Sequence, residues 1–385
     1  MQIGVDRDQL VQLLSDLVAI ESINPSMKGA KNGETIIGNY IFDYLKGLGL
    51  EVLRQEALPG RSNIFGKLPG ADSKRRLLFE GHLDTMPVEG MVIDPFTPKV
   101  EEGRLYGRGA CDVKASIAAM LLALKIATEQ GRPKADLYFL GSVDEEYTFK
   151  GILHFLKGGF WAQGAVVGEP TELDVVIAHK GMVRWRIEVT GKAAHSSKPK
   201  EGINAVTKMA RIICRIEDRM QPMLARISHP LVGPPTLSIG KIRGGIQINI
   251  VPDRCVIELD RRLNPGEDPN AVLESFEELL NEMRGEDPQL QVAMEEPFLV
   301  DYPLETEETE EVVQLAKSAI SAVRGQAKVK GVPYGTDGSK TARGGIPTIV
   351  LGPGSIDQAH TANEYVEIDQ VVKAAEIYAR MMLVF

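Results

Sequence analysis

The chain has 385 residues, and its 44 Lys and Arg against 53 Asp and Glu leave a formal charge of −9, a balance that excludes a free nucleic-acid binder. With 43% hydrophobic and 25% charged residues, it can bury a large core, which excludes disorder as the main state. Its length suggests two domains. Leu10, Leu13, Leu14, Leu17 and Val18 fall on one helical face, and a second helix is expected over Glu34 to Leu48, stopped by Gly49. Short apolar runs at Ile64 to Leu68, Leu77 to Glu80, Leu137 to Leu140 and Ala165 to Val167 read as strands, with a helix from Val113 to Thr128 between the second and third. That alternation predicts an α/β layer structure with a largely parallel sheet flanked by helices.

From Gly181 to about Glu295 the rhythm changes to strand (Val183 to Thr190), helix (Asn204 to Met220), strands (Thr236 to Ile242, Cys255 to Leu263), helix (Pro269 to Met283) and strand (Leu290 to Met294). This βαββαβ order predicts a ferredoxin-like module. A helix over Glu307 to Val323, a strand over Thr348 to Leu351 and a helix over Ile368 to Leu383 then close the chain. The expected division is 1–179 and 296–385 for one domain, with 180–295 inserted into it. Three scattered cysteines, Cys111, Cys214 and Cys255, suit neither a disulfide framework nor a thiolate zinc site. Asp6, Asp8 and Asp16 stand where a signal peptide needs a basic start and an apolar run, and no segment reaches the roughly 18 apolar residues of a membrane span. The expected setting is cytoplasmic, without membrane contact.

Carboxylates and histidines gather after the strands. In Glu80-Gly-His-Leu-Asp-Thr-Met-Pro87, His82 and Asp84 are two apart and would project together from an extended chain. That suits a metal-binding imidazole backed by a carboxylate, although a buried His held by an Asp has the same pattern. Asp112 lies in the glycine-rich Gly107-Arg-Gly-Ala-Cys-Asp112, which lacks the third glycine of a dinucleotide fingerprint and has a helix N-cap as its plain alternative. Asp144-Glu-Glu146, Gly168-Glu-Pro170 and the loop of His360 follow three further strands, at the ends where α/β proteins place their sites. Of the adjacent Glu145 and Glu146, one could bind a cation and the other serve as general base. Nitrogen and carboxylate ligands without thiolate suit Zn²⁺, Mn²⁺ or Co²⁺ better than Ca²⁺. His154, His179 and His229 read as structural or surface residues.

Taken together, the sequence resembles the dinuclear metallopeptidase and deacylase family of acetylornithine deacetylase, succinyl-diaminopimelate desuccinylase, aminoacylase and glutamate carboxypeptidase, peptidase family M20. The resemblance runs from Ser22-Ile-Asn-Pro25 to the His360 loop, and includes Ala193-Ala-His-Ser-Ser197 in the inserted module. It implies two divalent metals, with His82 and Glu169 on one, Glu146 and His360 on the other, and Asp112 bridging. It further implies Glu145 as general base, Asp84 orienting His82, and a lid and dimerisation module whose His195 reaches the partner protomer's site. Arg262 and Asn249 match positions at the substrate carboxylate, and Gly335 and Thr336 belong to a loop resembling a substrate-facing one. Val113-Lys-Ala after Asp112 departs from the commoner Met-Lys-Gly.

The expected activity is metal-dependent amide hydrolysis of N-acyl amino acids by a homodimer, with a dipeptidase or carboxypeptidase as alternatives. A catalytically silent, dimeric ligand-binding protein is the alternative from another class.

Overall fold

Asp6 starts the first helix, Arg7–Ala19, by accepting the Gln9 N–H at 3.0 Å, and the apolar stripe Leu10, Leu13, Leu14, Leu17 and Val18 is buried. The computed structural model describes residues 3–385. They fold as two units, 3–177 with Thr306–Lys330 and Thr336–Phe385, and Ala178–Glu305 with Gly331–Gly335.

In the first unit the strands run, side by side, Glu51–Leu58, Arg61–Leu68, Ala135–Ser142, Asp72–His82, Gly164–Val167, Thr348–Val350 and Val175–His179. Parallel pairing holds for the four from Ala135–Ser142 to Thr348–Val350. The flanking pairs are antiparallel, so the expected parallel sheet is its central part. Every residue of Ala135–Ser142 and Gly164–Val167 is buried, as strands covered on both faces require, and their unbroken apolar runs reflect it. Helix Ala115–Glu129 packs on helix Ile368–Val384.

Some elements escape the sequence pattern. Glu51–Leu58 is an edge strand with only Val52 buried, whose mixed polar and apolar residues show no clean alternation, and Lys150–Lys157 is a short helix. The helix expected from Val113 starts instead at Ala115, because Asp112 (φ −119°, ψ 90°) and Val113 (φ −137°, ψ 23°) are not helical.

The second unit has the expected order: Gly181–Thr190, Ala205–Leu224, Thr236–Gly244, Arg254–Leu263, Pro269–Glu286, Gln291–Met294. Its sheet is antiparallel, with Arg254–Leu263 between Thr236–Gly244 and Gly181–Thr190, and Gln291–Met294 on the far side of Gly181–Thr190. Trp185 meets Phe276 edge to face at 4.8 Å in the core. The unit runs past 295 to Glu305 because Leu299–Asp301 also pairs with Gly181–Thr190. No helix among the described residues is long and apolar enough to cross a membrane.

Candidate active site

Parallel strands that sit side by side bring their carboxyl ends to one edge. His82 ends Asp72–His82, Glu145 and Glu146 follow Ala135–Ser142, Glu169 follows Gly164–Val167, and the His360 loop follows Thr348–Val350. Asp112 comes from the irregular turn before Ala115–Glu129. The two oxygens of Asp112 face different histidines: Oδ1 lies 2.9 Å from His82 Nε2, and Oδ2 lies 3.1 Å from His360 Nε2. Glu169 Oε1 is 3.8 Å from His82 Nε2, and Glu146 Oε1 is 3.2 Å from His360 Nε2. His82 is 2% exposed and His360 45%, so the imidazole of His360 marks the open side.

Burial pushes Glu145 up to about 8, helped by the neighbouring Glu146, and raises Glu146 and Glu169, each also facing the charge of Asp112. Burial acts on Asp112 in the same sense, but the two imidazoles at its oxygens outweigh it and hold the carboxyl below its usual range. On the histidines burial opposes charge, yet the facing carboxylates raise His82 well above the usual value and His360 to about 10. Four carboxylates share this space with two imidazoles, and like charges in a buried cluster repel. A divalent cation would relieve that repulsion. The ligand atoms of His82, Asp112 and Glu146 lie within 4.8 Å of one another, as do those of His82, Glu145 and Glu169. The donor set therefore fits metal, with all-nitrogen-and-oxygen chemistry.

Asp84 is placed differently from the sequence expectation. Its main-chain oxygen, at 2.9 Å, contacts His82 Nδ1, while its carboxylate stays 3.7 Å away. The carboxylate instead accepts the N–H of Glu145 and that of Glu146, both at 3.1 Å. Asn24 Nδ2 donates to Asp84 Oδ2 at 2.7 Å and to Asp144 Oδ1 at 3.1 Å. Arg61 spans Asp144 and Glu34, and Asp144 itself sits at φ +72°. Asn24 lies in Ser22-Ile-Asn-Pro25, but Arg61 and Glu34 have no local signature and come together only in the fold. Beneath the site, Ser142 Oγ is 2.6 Å from Glu80 and 3.0 Å from Asp337. Burial pushes Glu80 up to about 8 and Asp337 well above its usual range. Ser142 has one O–H to give, so a carboxyl proton completes the set.

In the second unit, His195 Nδ1 accepts the Ser197 N–H at 3.2 Å, which leaves Nε2 as the protonated nitrogen of the neutral ring. The Ser196 N–H donates to the Asn249 carbonyl at 3.0 Å, so the His195 turn and the Asn249 loop lie together. Arg262 is engaged through Nε by Asp260 at 2.9 Å. Thr336 is fully buried, and its hydroxyl accepts the Gly338 N–H at 3.0 Å. Gly335 backs onto Asp301, whose Oδ2 would lie 2.5 Å from an added Cβ.

Comparison with known proteins gives the same picture. The description Peptidase family M20/M25/M40 matches residues 78–384. Acetylornithine deacetylase of Myxococcus xanthus is 31% identical over 349 residues, 89% of this chain and 90% of that protein. Acetylornithine deacetylase of Vibrio campbellii is 28% identical over 384 residues, 97% of each. The crystal structure of a tripeptidase from Staphylococcus aureus shares the fold, with a TM-score of 0.82 at 24% identity, over 99% of this chain and 98% of that one. The chain belongs to peptidase family M20/M25/M40 and is a metal-dependent amide hydrolase of that family.

Proposed function

We propose that the substrates are N-acyl amino acids, cleaved at the amide in the manner of acetylornithine deacetylase or succinyl-diaminopimelate desuccinylase. The substrate class rests on the likeness to two acetylornithine deacetylases, and the observation that carries the metal chemistry is Asp112, with one carboxylate oxygen toward each of two imidazoles that come from opposite ends of the chain. That is the arrangement a bridging ligand needs. His82 and Glu169 would hold one cation, Glu146 and His360 the other. Zn²⁺ suits the donors best, and Co²⁺ or Mn²⁺ fit the same set. When bound, the cations supply Lewis acidity to the amide carbonyl and acidify the attacking water.

Glu145 takes the proton from that water and delivers it to the leaving amine. Its main-chain N–H is tied to Asp84, which keeps the carboxylate at a set height above the strand ends. His195 of a partner protomer donates from Nε2 to the oxyanion, within a homodimer formed through the second unit. Arg262, with Asn249 nearby in the reaction, offers a planar fork to the substrate carboxylate. Three unpaired cysteines agree with a reducing, cytoplasmic setting.

The test is free-amine release from a panel of N-acetyl amino acids, N-succinyl amino acids and dipeptides, with metal-loaded and chelator-treated protein. Release from the N-acyl substrates, lost in chelator and restored by Zn²⁺ or Co²⁺, is expected. Cleavage confined to dipeptides would replace the deacylase reading with a peptidase one.

A further inference from the structure

The loop that carries His360 also carries a carboxylate, Glu364, that faces the main-chain N–H of Asp112 rather than its ligand atoms. Glu364 is fully buried. Its Oε2 accepts Arg108 Nη1 at 2.6 Å and the Gly109 N–H at 3.0 Å. Its Oε1 accepts the Cys111 N–H at 2.9 Å and the Asp112 N–H at 3.1 Å. Three of these donors are main-chain amides of one turn, and a fourth amide just before it, the Gly107 N–H, donates to the Glu364 carbonyl at 3.0 Å. Gly109 permits the turn by sitting at φ +78°.

The turn precedes a long buried helix, Ala115–Glu129, and continuing that helix backwards would be the ordinary course for Ala110 to Lys114. A helical Asp112 would point its N–H along the helix axis instead. It points at Glu364, and Asp112 and Val113 take non-helical torsions. An ionised carboxylate can accept all four bonds at once, whereas a carboxamide has only one accepting oxygen. The residue is also four positions from His360, so one short loop fixes both an imidazole of the site and the main chain of the carboxylate facing it.

We propose that Glu364 is a positioning residue that locks the Asp112 turn to the His360 loop, and so sets how tightly the shared metal site binds. This rests on the reading of Asp112 and His360 as ligands.

Glu364→Gln puts an amide NH₂ against two N–H donors, either Arg108 with Gly109 or Cys111 with Asp112. Full-length wild type and variant, stripped with chelator, are titrated with Co²⁺ by its visible absorption and with Zn²⁺ against a chromophoric chelator. The expected result is roughly 10- to 100-fold weaker binding, with an altered Co²⁺ spectrum at saturation and an unchanged far-ultraviolet dichroism. Asp136→Asn is the control for lost stability alone: it puts an NH₂ where Oδ2 pairs with Lys67 Nζ at 2.9 Å, at the far end of the strand from the site. It should lower Tm and leave the Co²⁺ titration as in wild type.

Equal metal affinity and spectrum in wild type and Glu364→Gln overturn the proposal, and so does a matching loss in Asp136→Asn. If Glu364→Gln does not fold, Arg108→Lys decides: it keeps the charge but gives up the fork between Glu364 and the Pro87 carbonyl. Weaker Co²⁺ binding supports the proposal and wild-type binding refutes it. Wild-type protein that binds no Co²⁺ would instead bring down the assignment of the ligands themselves.

Discussion

His82 Nδ1 lies 2.9 Å from the main-chain oxygen of Asp84 and 3.7 Å from the Asp84 carboxylate. A carbonyl only accepts, so Nδ1 carries the proton and Nε2 is turned toward Asp112 and Glu169, the tautomer a metal ligand needs. The main chain does the orienting, and the carboxylate is released for another task. That task is the turn of Glu145 and Glu146, whose amides it accepts.

Asp84→Asn should therefore disturb the acid pair more than the imidazole. An amide NH₂ would face one of the two N–H groups, shifting Glu145 away from its working position. Steady-state kinetics should show kcat lower by roughly 10- to 100-fold with KM little changed. Unchanged turnover would mean the Glu145 turn holds its shape without the carboxylate.

Glu145→Gln should keep the metals and lose chemistry, because a general base typically contributes about 10² to 10⁴ in rate. Elemental analysis and kcat, measured on the same preparation, separate the two. Loss of metal together with activity would make Glu145 a ligand, a role its closeness to His82 and Glu169 leaves open to test.

Metal stoichiometry distinguishes the bridging residue from the terminal ones. Asp112→Ala should lower occupancy of both positions, whereas His360→Ala should remove one metal and spare the other. Atomic absorption on dialysed protein checks this. Two metals retained in Asp112→Ala would rule out a bridge.

Exchange between subunits tests donation in trans. A His195→Ala chain keeps its own Glu145 but lends no donor, and a Glu145→Ala chain lends a good His195 that it cannot use. Their mixture, with heterodimer confirmed by mass, should regain activity above both parents. Silence in the confirmed heterodimer would place His195 outside the partner's site.

The second unit has its own core, and Phe276→Ala should show it. Truncating a buried ring that packs on Trp185 costs roughly 3 to 5 kcal/mol. Calorimetry should find a transition moved down in temperature, while metal content, for which the proposed ligands all lie in the other unit, stays as in wild type.

Much of this protein is written locally. Runs such as Leu137 to Leu140 and Ala165 to Val167 are apolar because strands covered on both faces must be, and strand ends carry His82, Glu146 and Glu169 within a residue or a few of those runs. The βαββαβ module is legible for the same reason: alternation along Gly181–Thr190 and the apolar stripe of Ala205–Leu224 are properties of single elements. The edge strand Glu51–Leu58 is not, because with only Val52 buried it is stabilised by main-chain pairing with Arg61–Leu68 and its side chains need no apolar period.

What only the tertiary structure decides is which atom of a residue meets which neighbour. Sequence spacing places Asp84 near His82, but the turn after the strand sends the carbonyl to the ring and the carboxylate to Glu145. That Thr336 is fully buried is likewise decided by the fold. Glu364 and Arg61 carry no motif, since a buried charge is defined by partners far off in sequence: Arg108 and Asp112 for one, Glu34 and Asp144 for the other. Residue types and their order along the chain follow from the chemistry each element needs by itself. Pairing across elements depends on how the strands stack, and no local pattern encodes it.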